Sequence, residues 1–128
     1  MRYLTPQDIL AIHAKIIDKT GGSHGVRDLG LLISLSERPK TSFENTELYK
    51  SVFEKAAAYF ESLVHYHVFV DGNKRTSIVV SARFLFLSGF ILVASNEEVE
   101  KFVLRVAVEK LSIEKIVAWF KRYSRKIE

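Results

Sequence analysis

The sequence predicts an all-α fold, a compact helical bundle forming one domain over residues 1–128. Three observations predict it. Apolar side chains recur at three- and four-residue steps through most of the chain. The breaks between these runs carry N-cap residues, glycine or proline, the punctuation of helices. A chain of 128 residues that is 48% hydrophobic and 27% charged can also enclose a core.

The elements follow in order. Thr5-Pro6-Gln7-Asp8 is a helix start, with Thr as N-cap, Pro at the first helical position and Asp in the first turn. Ile9, Ile12, His13, Ile16 and Ile17 form its stripe, and Gly21-Gly22 ends it. A histidine on such a stripe is usually a satisfied core or rim residue. A short helix is expected from about Asp28 to Ser36, burying Leu31, Leu32 and Leu35 and stopped at Arg38-Pro39. Lys40 to Thr46 reads as a connector. Glu47 opens the longest stripe, through Tyr49, Val52, Phe53, Ala56, Phe60, Leu63 and Val64 to His67. That spacing predicts His67 on the buried edge of the helix's last turn. His65 points elsewhere, and with no cysteine in the chain a zinc site is rejected. Thr76 to Ser88 is apolar on nearly every side, which predicts a central buried helix. Its one charge, Arg83, either reaches the surface or pairs with a carboxylate. Gly89 closes this helix and Phe90 to Val93 is a brief extended link. Ser95 to Glu98 matches a capping box ahead of Val99, Phe102, Val103 and Val106. Ser112 caps a final stripe of Ile113, Ile116, Val117 and Phe120.

Several function classes fall away. The apolar run from Ile78 to Ala94 is marginal in length for a membrane span, and Arg83 and Gly89 interrupt it. The N-terminus enters a helix signal with no apolar leader, and cysteine is absent, so a cytoplasmic protein is expected. Nineteen Lys and Arg against fifteen Asp and Glu give a net charge of +4. The basic residues are scattered except at Lys121-Arg122 and Arg125-Lys126, which argues against a nucleic-acid partner.

One stretch does not fit a plain interhelical turn: His67-Val68-Phe69-Val70-Asp71-Gly72-Asn73-Lys74-Arg75-Thr76. Lys74 and Arg75 fall in the first turn of the following helix, where the macrodipole is already positive and cations are disfavoured. They make sense there if a strong anion, such as a polyphosphate, occupies the helix start. Gly72 and Asn73 supply a turn whose N–H groups can converge on that anion. Asp71 can hold the Mg²⁺ that travels with it. His67 is the nearby side chain able to accept a proton near neutral pH.

Seven of the nine positions from His67 to Arg75, namely His67, Phe69, Asp71, Gly72, Asn73, Lys74 and Arg75, resemble the core motif of the Fic/Doc superfamily. The likeness is closer to the Doc (death-on-curing) toxin branch, which carries Lys at the Lys74 position. The Gly21-Gly22 ending, the Gly25 to Leu32 block and the Arg38-Pro39 stop extend it. The resemblance implies a Fic/Doc-type bundle whose active-site loop sits at the N-terminus of the central helix. It implies a toxin that moves the terminal phosphate of ATP or another nucleoside triphosphate onto a Thr or Ser hydroxyl, with elongation factor Tu as target and a cognate antitoxin as partner. His67 would then be the general base and Asp71 the Mg²⁺ ligand. Gly72 and Asn73 would shape the anion hole, and Lys74 and Arg75 would neutralise the transferring group. Phe69 would anchor the loop, and Lys40 to Thr46 would become a flap over the target. AMP-transferring Fic enzymes carry Gly at the Lys74 position and a second Arg where this chain has Ile78, so AMP transfer is the alternative. An inactive binding module is the alternative from another class.

Overall fold

The computed structural model describes residues 1–128. Six helices dominate: α1 (Pro6–Thr20), α2 (Leu29–Glu37), α3 (Val52–His65), α4 (Asn73–Leu87), α5 (Asn96–Glu109) and α6 (Ile113–Arg122). Two small antiparallel pairs complete the chain: β1 (Ser42–Phe43) with β2 (Thr46–Glu47), and β3 (Phe90–Leu92) with β4 (Ser124–Lys126). Helix α3 is the hub. It packs along α4 and also meets α2, α5 and α6.

Local chemistry fixes where the helices begin. Thr5 with Asp8, Ser51 with Glu54, and Ser95 with Glu98 form reciprocal capping boxes at α1, α3 and α5. Asp28 and Ser112 cap α2 and α6 through their side chains. Between the helices lies one continuous core, with Phe60 of α3 edge-on to Phe120 of α6 at 5.5 Å and stacked on Phe102 of α5 at 5.6 Å.

The expectations for α1, α2, α5 and α6 hold. Arg83 reaches the surface, where it lies 5.7 Å from the Phe86 ring. Val79 and Phe86 share that outer stripe of α4 at 42% and 49% exposure, while Val80, Phe84 and Leu85 on the inner side are buried.

Three expectations are corrected. Helix α3 starts at Val52, not Glu47, because the Ser51–Glu54 box sets its origin. It stops at His65, where Tyr66 turns extended (φ −93°, ψ 123°), so His67 lies beyond the helix and exposed. Val68, fully buried, takes the core position that the stripe assigned to His67. Residues 40–46 are not a plain connector: Ser42 to Glu47 form a hairpin whose turn residues Glu44 and Asn45 have φ of 50° and 66°. These are the dihedrals of a two-residue primed turn. The extended link expected after Gly89 holds, and the tail returns to pair with it, Phe90 with Lys126 and Leu92 with Ser124.

Candidate active site

The loop between α3 and α4 is held from three sides. The segment after α1 runs beside it as a short antiparallel partner. There Arg27 N–H donates to Val68 O at 2.7 Å and Val70 N–H to Gly25 O at 3.1 Å, with Val26 opposite Phe69. Phe69, 1% exposed, drives its ring into the core as expected of the loop's anchor. Asn73 closes the loop on itself: its side chain accepts from Phe69 N–H and donates to Phe69 O, both at 3.0 Å. That pair of bonds mimics a strand partner. It commits the Asn73 amide to the loop, so what Asn73 can offer an anion is its backbone N–H.

Asp71 and Gly72 follow. Gly72 adopts φ 77°, ψ 19° as the N-cap of α4, a left-handed conformation that suits glycine. Its N–H donates to Asp71 Oδ1 at 2.8 Å, and Ser23 N–H reaches Asp71 Oδ2 at 3.3 Å. The Asp71 side chain is still 48% exposed. A carboxylate offers about four acceptor positions, so room remains for a cation. The Asp71 carbonyl accepts from His13 Nε2 at 2.8 Å. His13 is 3% exposed, and its ring lies flat on Phe69 with centroids 3.8 Å apart.

The two cations divide. Arg75 leans toward the end of α1, donating to Thr20 Oγ1 and to Gly21 O, with Asp71 Oδ1 3.6 Å away. Lys74 is exposed and has no carboxylate partner. Helix α4 also lacks the side-chain cap that every other α-helix of the chain carries. The N–H groups of Asn73, Lys74 and Arg75 thus remain without helical partners at a positive helix end.

These residues meet in one cavity of about 240 Å³ lined by His67, Asp71, Gly72, Asn73, Lys74 and Arg75, with Val64 and Val70 at its edge. All six residues that the sequence singled out therefore come together. His67 stands at the rim, its carbonyl held by Arg27 Nε at 2.6 Å. A second cavity of about 320 Å³ shares Lys74 and Arg75 and continues between α4 and α5 along Ile78, Val99, Val103 and Leu104. It is apolar where the first is polar.

The chemistry open to this arrangement is narrow. Helix N–H groups and Lys74 suit an anion. Asp71 is the only carboxylate in the first cavity, and no cluster of three His, Cys, Asp or Glu side chains forms anywhere. A lone carboxylate fits Mg²⁺, which takes one or two carboxylates and completes its shell with phosphate oxygens and water. The sequence reading missed the supports, namely His13, Ser23 and Arg27. They lie 40 to 58 residues from the groups they hold, and no local pattern announces such contacts.

Comparison with known proteins agrees with this geometry. Residues 3–85 match the Fic/DOC family. The chain is 33% identical over 118 residues to "Toxin Doc" of Mycolicibacterium smegmatis, covering 91% of this chain and 88% of that protein. It is 26% identical over 122 residues to "Protein kinase doc" of Escherichia phage P1, covering 95% of each. A bundle whose uncapped central helix opens on a His67-to-Arg75 loop, matched over this span, belongs to the Fic/DOC family.

Proposed function

We propose that this protein is the toxin of a toxin–antitoxin pair and transfers the terminal phosphate of a nucleoside triphosphate to a Thr or Ser hydroxyl of a protein. The observation that carries the reading is the bare start of α4. Three unpartnered N–H groups and an unpaired Lys74 face a cavity that also holds Asp71 and His67. The names of the two relatives, a Doc toxin and a Doc protein kinase, support it. The adjoining apolar cavity favours a nucleotide over bare phosphate, because it offers a surface for a base beside the polyphosphate site.

In this mechanism His67 removes the proton of the target hydroxyl as that oxygen bonds to the terminal phosphorus. The bond from phosphorus to the bridging oxygen breaks, and its electron pair leaves with the nucleoside diphosphate. Lys74, Arg75 and the α4 N–H groups stabilise charge on the transferring and leaving oxygens, as phosphoryl transfer requires. Asp71 would hold Mg²⁺, which when bound adds a fixed positive charge against the phosphates. The β1–β2 hairpin, with Phe43 76% exposed, would present an edge to the target chain. Elongation factor Tu is the expected target, and a cognate antitoxin would cover the site.

Intact mass spectrometry tests this. The protein, Mg·ATP or Mg·GTP and elongation factor Tu are incubated together. A gain of about 80 Da on the target means phosphate and about 329 Da means AMP, masses fixed by the transferred group. The expected gain is phosphate, abolished by His67→Ala together with growth arrest on expression. Gain of AMP would move the protein to nucleotidyl transfer. No modified target, with a His67→Ala variant as toxic as the parent, would leave a binding module.

A further inference from the structure

Helix α1 is remote in sequence from the loop, yet it places a buried histidine against it. We propose that His13 is a positioning residue for the cation-binding carboxylate of Asp71, acting through the peptide group between Asp71 and Gly72. The inference rests on the reading of Asp71 as the Mg²⁺ ligand.

The coupling is a matter of covalent geometry. The carbonyl of Asp71 and the N–H of Gly72 belong to one planar peptide group, so fixing one end fixes the other. His13 Nε2 holds the carbonyl end at 2.8 Å. A carbonyl only accepts, so Nε2 carries the proton. The N–H end of the same plane donates to Asp71 Oδ1 at 2.8 Å. A rotation of the plane therefore carries the carboxylate with it. The freedom to rotate is real, because Gly72 is the residue that most easily crosses to other backbone conformations. The imidazole cannot drift either. It is 3% exposed and pressed on Phe69, with the rings 5° from parallel. Phe69 is itself locked by Asn73. The turn after α1 completes the cradle, with Ser23 N–H on Asp71 Oδ2. A leucine there would leave the Asp71 carbonyl without this donor and the peptide plane without its hold. The imidazole orients a metal ligand from behind, and such partners are typically worth 10–100-fold in metal affinity.

The test uses the intact protein with Mn²⁺ and a non-hydrolysable ATP analogue, reading bound Mn²⁺ by electron paramagnetic resonance. His13→Phe keeps a flat ring on Phe69 but has no donor. His13→Gln restores a donor at similar reach. We expect His13→Phe to weaken Mn²⁺ binding about tenfold, His13→Gln to recover most of it, and binding of the analogue in EDTA to stay at the parent's level in both. In an Asp71→Asn background His13→Phe should add no further loss. Parent-like Mn²⁺ binding in His13→Phe overturns the proposal, as does an equal loss of metal-free analogue binding, which marks collapse of the loop. If His13→Phe does not fold, failure of His13→Gln to hold Mn²⁺ within threefold of the parent overturns it. Parent-like Mn²⁺ binding in Asp71→Asn alone would sink the metal role of Asp71 itself and separates that failure from this one.

Discussion

At position 22 the site is decided by the absence of a single carbon. A Cβ there would sit 2.6 Å from Asp71 Oδ2 and 3.3 Å from Ile17 Cδ1, on a backbone with φ of 110°. Alanine is strained in that conformation whatever the space, at a cost of about 1–2 kcal/mol. The clash must also push the Asp71 carboxylate away from Ser23. Gly22→Ala is therefore expected to lower the melting temperature by several degrees. It should also raise the Mg²⁺ concentration for half-maximal transfer well beyond that of an equally destabilised core variant. Equal metal dependence in the two would show that position 22 matters to the fold alone. Asn73 is constrained in another way. Asn73→Ala leaves the N–H and C=O of buried Phe69 without partners, a loss of about 2–4 kcal/mol on the usual range for orphaned groups. Thermal unfolding should show that loss with or without nucleotide.

At the scale of elements, the hairpin depends on one buried lysine. Lys55 of α3 is 1% exposed, and its ammonium donates to Glu47 Oε1 at 3.0 Å, to Pro39 O at 3.4 Å and to Tyr49 O. Pro39 and Tyr49 flank the hairpin on its two sides, and Glu47 is the last residue of β2. Lys55→Met fills the volume but leaves the carbonyls unpaired, so a destabilisation of about 2–4 kcal/mol is expected. Hydrogen exchange gives the sharper readout: the Leu48 amide, bonded to Thr41 O at 2.9 Å across the hairpin's base, should lose protection before α3 does. Unchanged protection there would mean that the hairpin stands without Lys55. Such an element shows why part of the fold was legible in the sequence and part was not. Thr5, Asp28, Ser95 and Ser112 act within three residues of themselves, so helix starts could be read locally. The hairpin turns on Glu44 and Asn45, without the glycine that usually marks such turns. β3 was legible as an extended link, but its partner is a tail more than thirty residues later. His67 was misplaced because a helical stripe cannot announce that its last apolar position passes to Val68. The candidate site was legible for a different reason: Lys74 and Arg75 contradict the helix they begin, and a local contradiction is visible in any window.

At the scale of the molecule, the loop that lines the cavity is braced by the N-terminal third through His13, Ser23 and Arg27. Its geometry thus requires α1 to stay docked. Tyr59 of α3 ties down the residue that leads into α1. It is fully buried, its hydroxyl accepts from Leu4 N–H at 2.9 Å and donates to Leu4 O at 3.2 Å, and Leu4 leads directly into α1. Burial raises its pKa to about 12, the hydrogen bond to Leu4 opposing only in part. The unfolded chain releases the same proton near pH 10. Between the two values the folded state binds more protons than the unfolded one, so stability is intact below about pH 10 and falls as pH rises toward 12. Tyr59→Phe should be less stable at neutral pH by about 1–3 kcal/mol, because Leu4 loses both partners. Its stability should then decline less steeply than the parent's over the alkaline range. Denaturant unfolding of both proteins from pH 8 to 11.5 measures the difference in slope. Parallel curves would mean that the Tyr59 hydroxyl is not sealed from water, and an unchanged stability at neutral pH would mean that its bonds to Leu4 do not hold the entry to α1.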